Sequence, residues 1–173
     1  MRHRSLGEGS TLAENTADQF KNIPDSFDGL SCDLYPLVIT FRKFLLMLDV
    51  TLGNSYFDRF HNVNLGSRLK TFMMKEVNYE KFESLYWPHF NVQLRKTLDS
   101  YLEFTEIMSH IKGGTRTIEH GKLSMDEYCD ISENRTSCLS IETRIMIYDI
   151  FQNYEKKNIQ IGDFDLADIV IHD

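Results

Sequence analysis

Cysteine and proline are both scarce here, with 3 of each among 173 residues, and there are only 9 glycines. So little proline and glycine excludes collagen-like and low-complexity classes, while 42% hydrophobic residues supply enough apolar surface to offset chain entropy. The cysteines, Cys32, Cys129 and Cys138, cannot all pair, and none stands in a C-x-x-C. That argues against a disulfide-stapled secreted scaffold and for an intracellular setting, nuclear or cytoplasmic. The sequon Asn134-Arg135-Thr136 then reads as chance. Long apolar runs are also missing. The longest, Leu34 to Leu48, is interrupted by Arg42 and Lys43 and falls short of the roughly 20 residues of a membrane span. The stretch Met1 to Glu14 has no apolar core of a signal peptide, so no membrane partner is expected. Excess positive charge is absent as well. The net charge of −7 argues against a module that grips nucleic acid by charge alone.

What is present is unevenly distributed. Residues 1–35 and 113–173 are net acidic, by 3 and 6 charges, whereas 36–112 is net +2. Residues 1–22 are rich in small polar groups and read as a disordered lead-in, leaving 23–173 as one helical domain. Tyr35 to Ile39 is a short β-type run, and Ile159 to Ile161 is a second candidate strand. Thr40 suits the cap of a helix over Phe41–Asp49, with Phe41, Phe44, Leu45 and Leu48 on one face and Gly53-Asn54 as the stop.

Further helices follow from their caps. Asn78 opens Tyr79–Tyr86, and Asp99 or Ser100 opens a helix to Lys112, where Gly113-Gly114 offers a left-handed end. Ser124-x-x-Glu127 is a capping box. Ser140 opens a long helix over Ile141 to Lys157, apolar on two sides, and Asp163 caps Phe164–Ile171. The expected class is mostly α with one or two short strands.

Chemistry-bearing motifs are few. The single Gly-Lys, Gly121-Lys122, lacks the upstream glycine and following Ser/Thr of a phosphate loop. Asp126-Glu127 falls in the first turn of a capped helix, not behind a buried strand, so it is no magnesium box. The six histidines are scattered without metal-ligand spacing, and no Cys/His pair stands out as a nucleophile. No catalytic, cofactor or metal residue is expected. Phe82, Tyr86 and Phe90 recur every four residues, as a buried stripe would. Ile39-Thr40-Phe41-Arg42-Lys43-Phe44 sits at a strand-to-helix turn, combining a hydroxyl, a ring and two cations suited to phosphates and stacked bases.

That turn resembles the Thr-Phe-His-x segment of UvrD/Rep-type superfamily-1 helicases, with Arg42 where bacterial relatives carry histidine. Ile147-Tyr148-Asp149-Ile150-Phe151-Gln152-Asn153-Tyr154 and Gly162-Asp163-Phe164-Asp165-Leu166 resemble the stretch before that family's Walker B strand. Gly53-Asn54-Ser55-Tyr56-Phe57, Tyr86-Trp87-Pro88-His89-Phe90 and Phe104 to Gly114 are similar to large eukaryotic UvrD-like proteins with tetratricopeptide and ankyrin repeats. The resemblance spans about residues 23–173. It implies a helical 1B-like subdomain inserted in a P-loop α/β helicase core, a fragment between motif Ia and Walker B.

The resemblance further implies weak contact with single-stranded DNA or RNA through Thr40, Phe41, Arg42 and Lys43, with Lys112 and Arg116 as additional phosphate contacts. The remainder of the helicase core would be its partner. ATP and magnesium belong to the complete parent family, and none is expected in this chain. The alternative is a degenerate helicase remnant serving only protein interaction. A purified chain is expected to show no magnesium-dependent ATP hydrolysis, because nothing in it matches the elements that hold the β- and γ-phosphates. Phosphate release abolished by a point substitution within the chain would overturn this.

Overall fold

Capping side chains set where the helices begin. The computed structural model describes residues 23–60, 65–134 and 139–172, most of them helical, and among these residues no strand forms. The expected mostly α class is therefore observed. The lead-in 1–22, Cys138 and most of the sequon lie outside the described residues. Two compact units are distinguished, the first ending at Leu69 and the second running from Lys70 to His172.

In the first unit, Thr40 Oγ accepts the Lys43 N–H at 3.2 Å and opens α1, Phe41–Leu52. The helix outlasts the expected Asp49 by three residues and stops at Gly53, whose φ of 74° is a left-handed conformation that glycine adopts freely. Leu37–Ile39 takes no regular structure and, among the described residues, pairs with no strand, so the first expected strand does not form there. The buried face of α1 also differs from expectation. Leu45, Leu46 and Met47 are buried, but Phe41 and Phe44 remain exposed.

Asp49 is buried with Leu45, Leu46 and Met47. Its fully buried carboxylate accepts from Ser55 Oγ at 2.6 Å, the Tyr56 N–H at 2.6 Å and Arg68 Nη1 at 3.0 Å. Three donors compensate the loss of hydration, and they fix which side of α1 turns inward. A 3-10 turn, Tyr56–Arg59, then buries Tyr56 and Phe57, with the Arg59 guanidinium 4.7 Å from the Tyr56 ring centre.

In the second unit, α2 (Leu65–Lys75, begun in the first) leads to a helix capped by Asn78, which accepts the Lys81 N–H at 2.9 Å. This α3 starts as Tyr79–Lys81, widens into a π turn over Phe82–Tyr86 and tightens into a 3-10 turn over Trp87–His89. Phe82, Tyr86 and Phe90 are all buried, as the stripe required. The short α4, Val92–Thr97, was not foreseen.

Asp99 opens α5, Ser100–Glu106, which again widens into a π turn over Ile107–Ile111, closed by the Lys112 N–H to the Ile107 carbonyl at 2.9 Å. The glycines that follow do not supply a left-handed end, since neither has a positive φ. Gly113 is needed for space instead, because a Cβ there would be driven into the Met108 carbonyl oxygen. The Ser124–Glu127 capping box forms as expected. Glu127 accepts the Ser124 N–H at 2.8 Å, and Ser124 Oγ accepts the Glu127 N–H at 3.3 Å, opening α6, Met125–Asn134.

The long α7, Ile141–Ile161, starts at its Ser140 cap and ends at Gly162, φ 72°. The second expected strand, Ile159–Ile161, is its last turn, since a helix already under way needs only the left-handed glycine to stop. Burial is one-sided. Ile147, Tyr148, Ile150, Phe151 and Tyr154 face the core, but Ile141 and Ile145 are exposed. The last helix, α8, is Leu166–His172. Its cap is Asp165, not Asp163, because Asp165 Oδ1 accepts the N–H groups of Ala167 and Asp168 at 3.1 and 3.2 Å. Asp163 instead accepts from Tyr86 Oη at 2.9 Å and pairs with Lys81 at 2.9 Å.

One buried face of α5 is acidic. Glu106 accepts from Tyr128 Oη at 2.6 Å, and the fully buried Arg144 lies 3.9 Å from it. Glu103 is fully buried too, with neither carboxyl oxygen hydrogen-bonded. Burial, and then the Glu106 charge, push its pKa up to about 9. A carboxyl whose folded pKa is raised weakens the fold as pH climbs above its ordinary value toward the raised one. At pH 7 that cost is up to about 3 kcal/mol. Glu103→Met is expected to stabilise the protein, and more so near about pH 8.5 than near about pH 6. Urea denaturation at both values checks this, and an equal or absent gain would contradict it.

Candidate nucleic-acid interface

The turn that opens α1 gathers Thr40, Phe41, Arg42 and Lys43, but they point different ways. The Thr40 hydroxyl is engaged as the cap. Phe41 is 57% exposed, and its ring lies nearly parallel to that of Phe44, with centroids 6.3 Å apart and planes 14° from parallel. Phe44 in turn meets Phe27 edge-on at 5.4 Å. Arg42 is exposed. Lys43 is buried, and its ammonium is held by Asp25 at 2.8 Å. The outward chemistry of the turn is thus a ring, a guanidinium and the start of a helix.

Lys112 belongs to a different setting in the second unit. Helix C-termini favour cations, which is what its sequence position suggested. Its ammonium is buried, 2.6 Å from Asp165 Oδ2 and 2.6 Å from Asp168 Oδ1. Tyr154 Oη also donates to Asp165 Oδ2 at 2.9 Å, and Asp168 Oδ2 accepts the Asp165 N–H at 3.0 Å. Burial alone would lower the Lys112 pKa, but the two carboxylates more than offset it and hold the ammonium above its ordinary value. Lys112 therefore joins α5 to the α7–α8 corner, with its charge turned inward.

Arg116 is exposed on the short turn Thr115–Thr117, and it borders a cleft with Ser109, His110, Thr115, Leu123 and Ile131. His110 and the two hydroxyl residues carried no sequence signal of a site. Only their closeness to Gly113-Gly114 at a helix end could have drawn attention to them. Among the described residues, no group of three His, Cys, Asp or Glu side chains could hold a metal ion. No described helix is long and apolar enough to cross a membrane. No protein-family model, curated protein or solved structure matches the chain.

Lys112→Met would leave Asp165 and Asp168 facing each other without their cation. Breaking a buried pair on one side typically costs about 3–5 kcal/mol. A loss of that size in chemical denaturation is expected. A loss below about 1 kcal/mol, the range of exposed pairs, would show that water reaches the cluster.

Proposed function

We propose that this chain is a helical accessory subdomain of a UvrD-like helicase, without ATPase motifs of its own, and that it contacts single-stranded nucleic acid at the start of α1. The observation that carries this reading is Phe41, left 57% exposed at the first position of a capped helix. A solvent-facing ring offers a base a stacking surface worth about 1–3 kcal/mol. Arg42 and the main-chain N–H groups of the helix start suit the adjoining phosphate. Lys43, paired with Asp25, steadies the turn from behind.

The β-type run Leu37–Ile39 supports a second partner. Among the described residues its main chain makes no backbone hydrogen bond, as a strand would whose neighbours lie in the remainder of a helicase core. ATP and magnesium would be bound by that remainder. A different reading is favoured by the apolar character of the same surface, where Tyr35 is 63% and Val38 82% exposed. In it the chain is a helicase remnant that binds only protein.

Fluorescence anisotropy with single-stranded DNA and RNA oligonucleotides separates the two. One stacked base with one phosphate contact corresponds to about millimolar affinity, since about 4.1 kcal/mol is 1 mM. Phe41→Ala and Arg42→Ala are each expected to weaken binding at least about fivefold. Binding indifferent to both substitutions would place the contact elsewhere. No binding at all, with Phe41→Ala properly folded, would favour the protein-interaction reading.

A further inference from the structure

We infer that the cleft beside Arg116 is a binding site for a small phosphate monoester carrying a short apolar group. The cleft lies wholly within the second unit, between the π-helical end of α5, the turn at Thr115 and α6, and opens to solvent. Its polar rim is uncommitted. Among the described residues, the side chains of Ser109, Thr115 and Arg116 make no hydrogen bond, and Arg116 forms no ion pair. Arg116 feels the charge of Glu127, but that carboxylate is held by the Ser124 N–H and hydroxyl, each at 2.8 Å.

His110 completes the rim. Its Nδ1 is buried without a hydrogen bond, 3.6 Å from Glu106 Oε2, which is too long for one. The ring's partial exposure is therefore through its other atoms, on the cleft side. Elsewhere in this unit many cap and interior polar groups find partners within the fold, as Asp99, Ser124, Asp163 and Asp165 do, although Glu103 does not. Here Arg116, His110, Ser109 and Thr115 line one cleft, and among the described residues none of their side chains makes a hydrogen bond. Arginine with hydroxyl neighbours is the donor set an oxyanion calls for. Leu123 and Ile131 provide the apolar lining on which a short hydrocarbon group would rest.

The π turn contributes to this arrangement. Its extra residue per turn carries Ser109 and His110 to the rim while Ile107 and Ile111 stay in the core. Nothing in this inference depends on α1, so the two sites stand or fall separately.

The test is a titration of the full chain with butyl phosphate, inorganic phosphate and butanol, followed by amide chemical shifts. Saturable shifts at Thr115 and Arg116 are expected for butyl phosphate, weaker binding for inorganic phosphate and none for butanol. Arg116→Ala, an exposed position, should weaken butyl phosphate at least about tenfold. Absence of saturable shifts, or shifts that persist unchanged in Arg116→Ala, would overturn the assignment. An added arm uses a single-stranded oligonucleotide. If it moves the same amides at lower concentration than butyl phosphate, the cleft serves a polynucleotide backbone, and the small-ligand assignment fails.

Discussion

The ammonium of Lys112, enclosed between Asp165 and Asp168, is the contact on which the arrangement of the second unit turns. A buried cation has a large desolvation cost, so it must find its counter-charges at short distance or not be buried. Meeting that demand draws three pieces of chain to one point. The end of α5 brings Lys112, α7 brings Tyr154, and the start of α8 brings both aspartates. Asp165 uses one oxygen for the cation and the tyrosine, and the other for the N–H groups of α8. The position at which α8 begins is thereby tied to the position at which α5 ends.

Asp49 plays a comparable part in the first unit. Its three donors come from the segment after α1 and from Arg68 in α2, and they fix the rotation of α1. Phe41, about 80° around the helix from Asp49, stands at its open first turn, while Leu45 one turn on is buried. The ring that makes α1 a candidate for stacking thus lies at the helix start, beyond the part of α1 that the fold covers.

The local parts of this fold were legible in the sequence. Thr40, Asn78, Asp99, Ser124 and Ser140 all cap the helices expected of them, since an N-cap bond reaches only two or three residues. Gly53 ends its helix as expected for the same reason. Which faces turn inward was less legible, because Asp49, Glu103, Glu106 and Arg144 look like surface residues until their distant surroundings are known. Lys112 is the sharpest case, with its partner Asp165 lying 53 residues away. Charge counts mislead for the same reason. Lys43 and Lys112 contribute to the +2 of residues 36–112, but both are buried in ion pairs. At the candidate interface, the pattern of residue types at 40–43 was visible, and the inward turn of Lys43 was not.

The two π turns make their helices tolerant of a change in length. Phe82–Tyr86 and Ile107–Ile111 each hold one residue more than a regular turn would. Removing that residue from the second would let α5 continue as an uninterrupted α-helix with no loss of helical hydrogen bonding. The wider turn winds its extra residue into about the angle of a regular turn, so the chain beyond the excision would keep its facing. Lys112 would stay between its two aspartates. In this stretch a one-residue deletion would therefore disturb the fold less than it would in a regular helix, where it turns everything beyond it by about 100°.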